Sequence, residues 1–251
     1  MTDLGFADRV IELQPRHDLE LPEIEDAADK FCGDLVPAPG DAKRTFWRDL
    51  GRSNIEITYP LPLELICDFR RIRLLFITAL PLAIPAAAAA FEKIVEENNG
   101  VEPAIYVDEE LREWVLYRTQ ATDNLTRFFI AAQVGHILLH VREIKKSRRR
   151  GRFFLTSNKE CREQAAMFAR ALLMPRAALK KTLKAELADL PDSPEISEPL
   201  SRLEAAGVQR EMAAAFATPA WSVRPRVEEI GFPHLLENLK ETTRDRSSAR
   251  A

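Results

Sequence analysis

Cysteine is scarce in this chain. Cys32, Cys67 and Cys161 are odd in number, widely spaced and without a Cys-x-x-Cys pair, so there is no disulfide framework to read; the thiols are expected reduced and buried, in a cytoplasmic protein. Net charge is small as well. The 36 basic and 39 acidic residues leave −3, which excludes a general pull toward nucleic acid or a membrane surface. Long apolar runs are missing: the longest, Leu74 to Ala90, is broken by Pro81 and Pro85 and falls short of the ~18 uninterrupted residues a spanning helix needs. The Met1-Thr2-Asp3 start lacks the basic, apolar and small-residue order of a signal peptide. What remains is an apolar fraction of 46% over 251 residues, enough to bury a sizeable core in one domain or two small ones.

Local patterns divide the chain. Residues 1 to 45 read as an acidic leader with Asp18, Glu20, Glu23, Glu25, Asp26 and Asp29, followed by a Pro37-Ala38-Pro39-Gly40 turn. Ile72 to Ile77 reads as a buried strand. Pro85 to Glu97 reads as a helix with proline in its first turn, stopped by Asn98-Asn99-Gly100. The runs Ala104 to Val107 and Trp114 to Tyr117 are β-branched and aromatic and about ten residues apart, which predicts an antiparallel pair with Tyr106 and Trp114 as packing residues. Asp123 or Asn124 is positioned to cap a helix running toward Val141. The expected architecture is α+β, a small sheet packed on that helix and on a second one through Cys161 to Arg170.

The segment Arg127-Phe128-Phe129-Ile130-Ala131-Ala132-Gln133-Val134-Gly135-His136-Ile137-Leu138-Leu139-His140 holds the informative pattern. Residues four apart share one face of a helix, so two histidines in His-Glu-x-x-His can hold one metal while the Glu polarises its water. Here that register carries Ala132, Gln133 and His136. Alanine has no lone pair to offer a metal, and an amide does not take up a proton near neutral pH as a carboxylate does. His136 also reads as a core histidine, and His136 with His140 forms a second i, i+4 pair.

With its flanks this segment resembles the ImmA/IrrE metallopeptidases, from which only the His-Glu pair departs seriously. A second block, Cys161-Arg162-Glu163-Gln164-Ala165-Ala166-Met167-Phe168-Ala169-Arg170-Ala171-Leu172-Leu173-Met174-Pro175, resembles the family helix that supplies a third ligand, a Glu. The detailed likeness covers about residues 120 to 180. The resemblance implies a zincin-like fold with a small antiparallel sheet, Zn2+ as the family's metal, and positions 132, 136 and a downstream Glu as its ligands. In this chain Ala132 stands at a ligand position and Gln133 at the general-base position; His136 is retained. Glu163 is the candidate third ligand, in a register that leaves Arg162 and Gln164 at positions where the family often has Glu. Zinc binding is accordingly expected to be weak and cleavage absent. Ala132-Gln133 fits either a natural pseudo-peptidase or a cleaving parent that has been disarmed. The implied partner is a DNA-binding transcriptional repressor.

Between the two blocks runs a basic stretch, Arg142, Lys145, Lys146, Arg148, Arg149, Arg150 and Arg152, with only Glu143 against it in sequence. It reads as a solvated loop, or as a cleft rim that attracts an acidic segment or phosphates; no aromatic or amide pattern for base readout is interleaved. Leu179, Leu183 and Leu187 mark a further helix before Pro191-Asp192-Ser193-Pro194. Ile196 to Phe216 resembles the family's helix-turn-helix-like tail, with its turn at Gly207-Val208-Gln209-Arg210 and with Pro219, Pro225 and Pro233 disrupting the stretch beyond it. The expected divisions are an N-terminal extension over 1–60, a peptidase-type domain over 61–180, a helical region over 181–240 and a polar tail over 241–251. The alternative function is a binding or sensing module that uses the old cleft, with direct nucleic-acid contact a third option.

Overall fold

A computed structural model describes residues 10–33, 60–118, 122–188 and 207–231, with backbone only for 184–188. The chain divides into two compact units, Met1–Leu173 and Met174–Ala251.

The first unit is α+β. Its strands are β1 (Val10–Glu12), β2 (Ile72–Phe76), β3 (Ile105–Val107), β4 (Glu113–Tyr117) and β5 (Arg152–Leu155). They lie in the order β1-β5-β3-β4-β2. The centre is antiparallel, and each edge strand joins in parallel. The expected pair is β3 with β4, in the register Ile105 to Val115 and Tyr106 to Trp114. Side chains alternate between faces as a pleat requires. Tyr106, Leu116 and Phe153 pack on α4 (Pro85–Glu97) through Ala87, Phe91 and Ile94, whereas Ile105, Val107, Val115 and Phe154 join a larger core on the opposite face. Both faces are covered, which is why β3 is buried throughout.

The larger core is built by α1 (Leu21–Gly33), α2 (Leu63–Phe69), α5 (Asp123–His136) and α7 (Lys159–Leu173). The acidic stretch near the N-terminus thus contributes to the interior: Ile24, Ala28 and Phe31 are spaced to fall on one face of α1, and all are buried. Helix α3 (Leu80–Ala83) is a single turn ahead of α4. Helix α4 starts on Pro85 and stops where Asn99 and Gly100 turn to positive φ, 53° and 83°.

Three sequence expectations need correction. The strand from Ile72 is buried only at its start, because β2 is a sheet edge and Phe76 is 45% exposed. The cap of α5 is Thr122, whose hydroxyl accepts the Leu125 amide, rather than Asp123 or Asn124. The basic stretch is not a free loop: it contains α6 (Lys146–Arg149) and the start of β5. Two of its arginines, Arg142 at 2.7 Å and Arg149 at 3.5 Å, converge on the buried carboxylate of Glu113.

In the second unit α8 (Arg176–Ala188) buries Leu179 and Leu183. Gly207, at φ 72°, leads into α9 (Val208–Ala215), so Val208 to Arg210 are helix rather than turn. Pro219 precedes a 3-10 turn and Pro225 sits in the first turn of α10 (Val223–Glu229), where a missing amide proton costs nothing. Arg226 is buried and donates to the Met174 carbonyl at 3.1 Å. The expected linker at 191–194, residues 196–206, Pro233 and the tail at 241–251 lie outside the described residues. Among the described residues no helix is long and apolar enough to cross a membrane.

Candidate functional site

Helix α5 and helix α7 pack at very close range. A Cβ on Gly135 would stand 2.9 Å from Cδ1 of Phe168, so glycine at that position lets the two backbones approach. Ala131, Val134, Phe168 and Leu172 fill the contact and are fully buried. Past His136 the helix widens into a π turn over Ile137–Val141, closed by the Arg142 amide on the Ile137 carbonyl at 3.0 Å. Such turns re-aim side chains within a helix, and this one carries His140 into the interior.

His140 does not stand alone. Its Nε2 lies 2.8 Å from Oε1 of Gln164 on α7. That oxygen also accepts the Arg16 amide at 3.3 Å, while Nε2 of Gln164 donates to the Arg16 carbonyl at 2.7 Å. The amide is thereby oriented, and His140 must donate from Nε2. Its Nδ1 is then a bare acceptor, buried and without a partner. Arg16, 148 residues from Gln164, was invisible to pattern reading, since the bond uses only its backbone.

One turn earlier, His136 is 2% exposed, its ring centroid 5.3 Å from that of His140. Its Nδ1 is buried without a hydrogen bond, and so is Oε1 of Gln133. Burial pushes the His136 pKa down to about 3, with the charges of His140 and Arg162 adding to the effect. His140 is shifted down too, chiefly by burial, against the pull of its bond to Gln164. Both rings are therefore neutral near pH 7.

The other expected positions do not join them. Ala132 is half-buried and has no donor atom. Glu163 has a side chain 64% exposed and is ion-paired to Arg170 at 2.8 Å, so α7 does not bring it to His136. Arg162, beside it on α7, is exposed and is a cation. Among the described residues no three of His, Cys, Asp and Glu converge as a metal-holding group. A zinc site needs three protein ligands with an open position, or four, and this donor set does not fit it. The thiols offer no substitute: Cys67 and Cys161 are buried, with burial raising their pKa to about 12 and about 11, and the half-buried Cys32 is raised to about 12 by the same cause.

No curated protein and no solved structure gives a significant match to the chain. A family model does: Peptidase_M78, described as the IrrE N-terminal-like domain, matches residues 94–218. That span includes β3, β4, the α5 motif and all of α7, so the fold, the motif register and the family match agree that the chain belongs to the ImmA/IrrE metallopeptidase family.

Proposed function

We propose that this protein works by binding rather than by cutting, as a regulator on a metallopeptidase scaffold that recognises a DNA-binding transcriptional repressor without cleaving it. One observation carries the reading. Of the ligand positions the family would use, His136 alone presents a donor in place, since Ala132 has none and Glu163 is turned to Arg170. Gln133 stands where the water-activating carboxylate would be, and an amide does not act as a general base near neutral pH.

The sequence of α7 favours a natural pseudo-peptidase over a disarmed parent. Arg162 stands on α7 at a position where the family often has Glu, a change that disarming α5 alone would not make. Purified protein is expected to hold little zinc and to form a complex with an intact helix-turn-helix repressor encoded beside its gene. About one tightly held zinc per chain, together with chelator-sensitive cleavage of that repressor, would overturn the proposal. Ala132→His with Gln133→Glu is expected to leave metal content low, and adding Arg162→Glu to raise it to about one zinc per chain. Stoichiometric zinc in the double variant would restore the disarmed-parent reading.

A further inference from the structure

We propose that the groove between β1 and the segment after the motif helix receives an extended acidic peptide segment, which adds to the sheet edge as a strand and sets a carboxylate on Arg148 and Arg152. It deepens the reading above and rests on it for the partner being a protein. The groove has a volume of about 660 Å³. Val10 to Arg16 form one wall, and His140, Glu143, Ile144, Ser147, Arg148 and Arg152 complete it.

The wall is a sheet edge. β1 is last in the strand order and bonds to β5 alone among the described strands. The Leu13 amide donates to the Leu155 carbonyl at 3.1 Å, so by the two-residue alternation Ile11 and Leu13 turn their main-chain groups to β5, and Val10 and Glu12 turn theirs away. An edge with outward amides and carbonyls is a template for one further strand. β1 lies outside the matched family span, which begins at residue 94.

Charge selects the sign of the occupant. Of the two acids on the groove, Glu12 accepts a hydrogen bond from Ser157 and Glu143 pairs with Arg16 at 3.6 Å. Arg16 is further held by Asp18 at 3.1 Å. Arg148 and Arg152 have no carboxylate partner among the described residues, and Nη1 of Arg152 is buried without any hydrogen bond. Nη1 of Arg152 is out of reach of solvent, so its uncompensated charge favours a negative occupant through space, while the exposed Arg148 can meet a carboxylate with a charge-assisted bond. Pro15 and Ile144 give the rest of the groove apolar surface for alternate side chains, and no Phe, Tyr or Trp lines it for stacking a base. Together these features fit an extended peptide with acidic residues at alternate positions.

The test is fluorescence anisotropy with a labelled, end-blocked octapeptide of alternating Val and Glu. Its controls are the Val and Lys counterpart and the acidic peptide N-methylated along one edge. The acidic peptide is expected to bind saturably, the Lys peptide and the N-methylated peptide not. Arg148→Glu, at an exposed position, and Arg152→Gln should each weaken binding roughly tenfold, with melting curves confirming that both variants fold. Equal binding of the N-methylated peptide would overturn strand addition, unchanged binding by both variants would overturn the charge assignment, and no saturable binding would overturn the whole. Peptide binding without repressor capture would leave the groove standing and sink the repressor; capture that ignores both the peptide and the arginine changes would do the reverse.

Discussion

The α5–α7 pair presents two faces with opposite accounts. On the apolar face Ala131, Val134, Phe168 and Leu172 are buried against one another, and Gly135 is as small as the crossing demands. On the polar stripe, Gln133, His136 and His140 are buried as deeply, yet each has one polar atom without a partner. Elsewhere the same fold satisfies its buried acids. Glu113 receives two arginines, and Asp108 receives the amides of Glu110 and Arg112, the Arg112 side chain and the Trp114 indole. Among the described residues three of the five orphaned buried side-chain atoms lie on this stripe, the other two being Nε of Arg149 and Nη1 of Arg152. An unsatisfied buried polar atom costs about 1–3 kcal/mol, which a fold tolerates only where the neighbouring packing offsets it. The apolar face accounts for the close crossing of the two helices, and on the polar stripe the bond from His140 to Gln164 is what ties them together.

The contrast breaks if the frame proves unimportant, and Phe168 is the place to ask. It is fully buried, meets Phe31 edge-on with ring centroids 6.2 Å apart, and fills the space beside Gly135. Phe168→Ala should cost about 3–5 kcal/mol, read as a fall in the urea midpoint. A loss below about 1 kcal/mol would mean that the helices repack freely and that the close crossing carries little of the stability.

Acid sharpens the comparison from the other side. The folded pKa of His136 lies near 3, below the 6.5 of the free side chain, so the unfolded chain binds the extra proton first. Stability is at its full value above pH 6.5, and proton uptake by the unfolded chain lowers it as pH falls toward 3, at up to about 1.4 kcal/mol per pH unit. His140 acts in the same direction. Asp108, held below the ordinary carboxylate range because its Arg112, backbone and Trp114 partners outweigh its burial, adds its own loss only below about pH 4. Urea midpoints between pH 7.5 and 5 therefore isolate the histidines. His136→Leu should flatten that slope, and an unchanged slope would place the proton elsewhere.

Which parts were legible from sequence depends on how far each interaction reaches. Ile105 to Val107 against Trp114 to Tyr117 could be paired because both runs are short, apolar and separated by a turn. Helix α4 announced itself through Pro85 and Asn98-Asn99-Gly100, which act on the backbone directly. The cap of α5 was missed by one residue, since Thr122, Asp123 and Asn124 are all competent and only the backbone angles choose. The motif register was readable because a helix repeats. The bonds from Arg16 to Gln164 and from Arg142 and Arg149 to Glu113 were not, because they join distant segments and leave no periodic trace. Nor does a sequence reveal which face of α7 Glu163 takes; that depends on Phe168 docking at Gly135.

The smallest expected effect is the most pointed, because its sign separates the two faces. Gln133 is 5% exposed and its Oε1 finds no donor, so the amide oxygen is desolvated for nothing. Methionine has nearly the same length and flexibility without the polar atoms, and volume-conserving changes of this kind cost little in packing. Gln133→Met should therefore leave stability unchanged or raise it by up to about 1 kcal/mol, although a buried native side chain is being replaced. The measurement is a urea titration at pH 7.5, beside Val134→Ala on the apolar face, where lost burial and a cavity should lower stability by a kcal/mol or more. If Gln133→Met falls as far as Val134→Ala, the Gln133 amide has a partner in solution, and the stripe belongs to the structural frame after all.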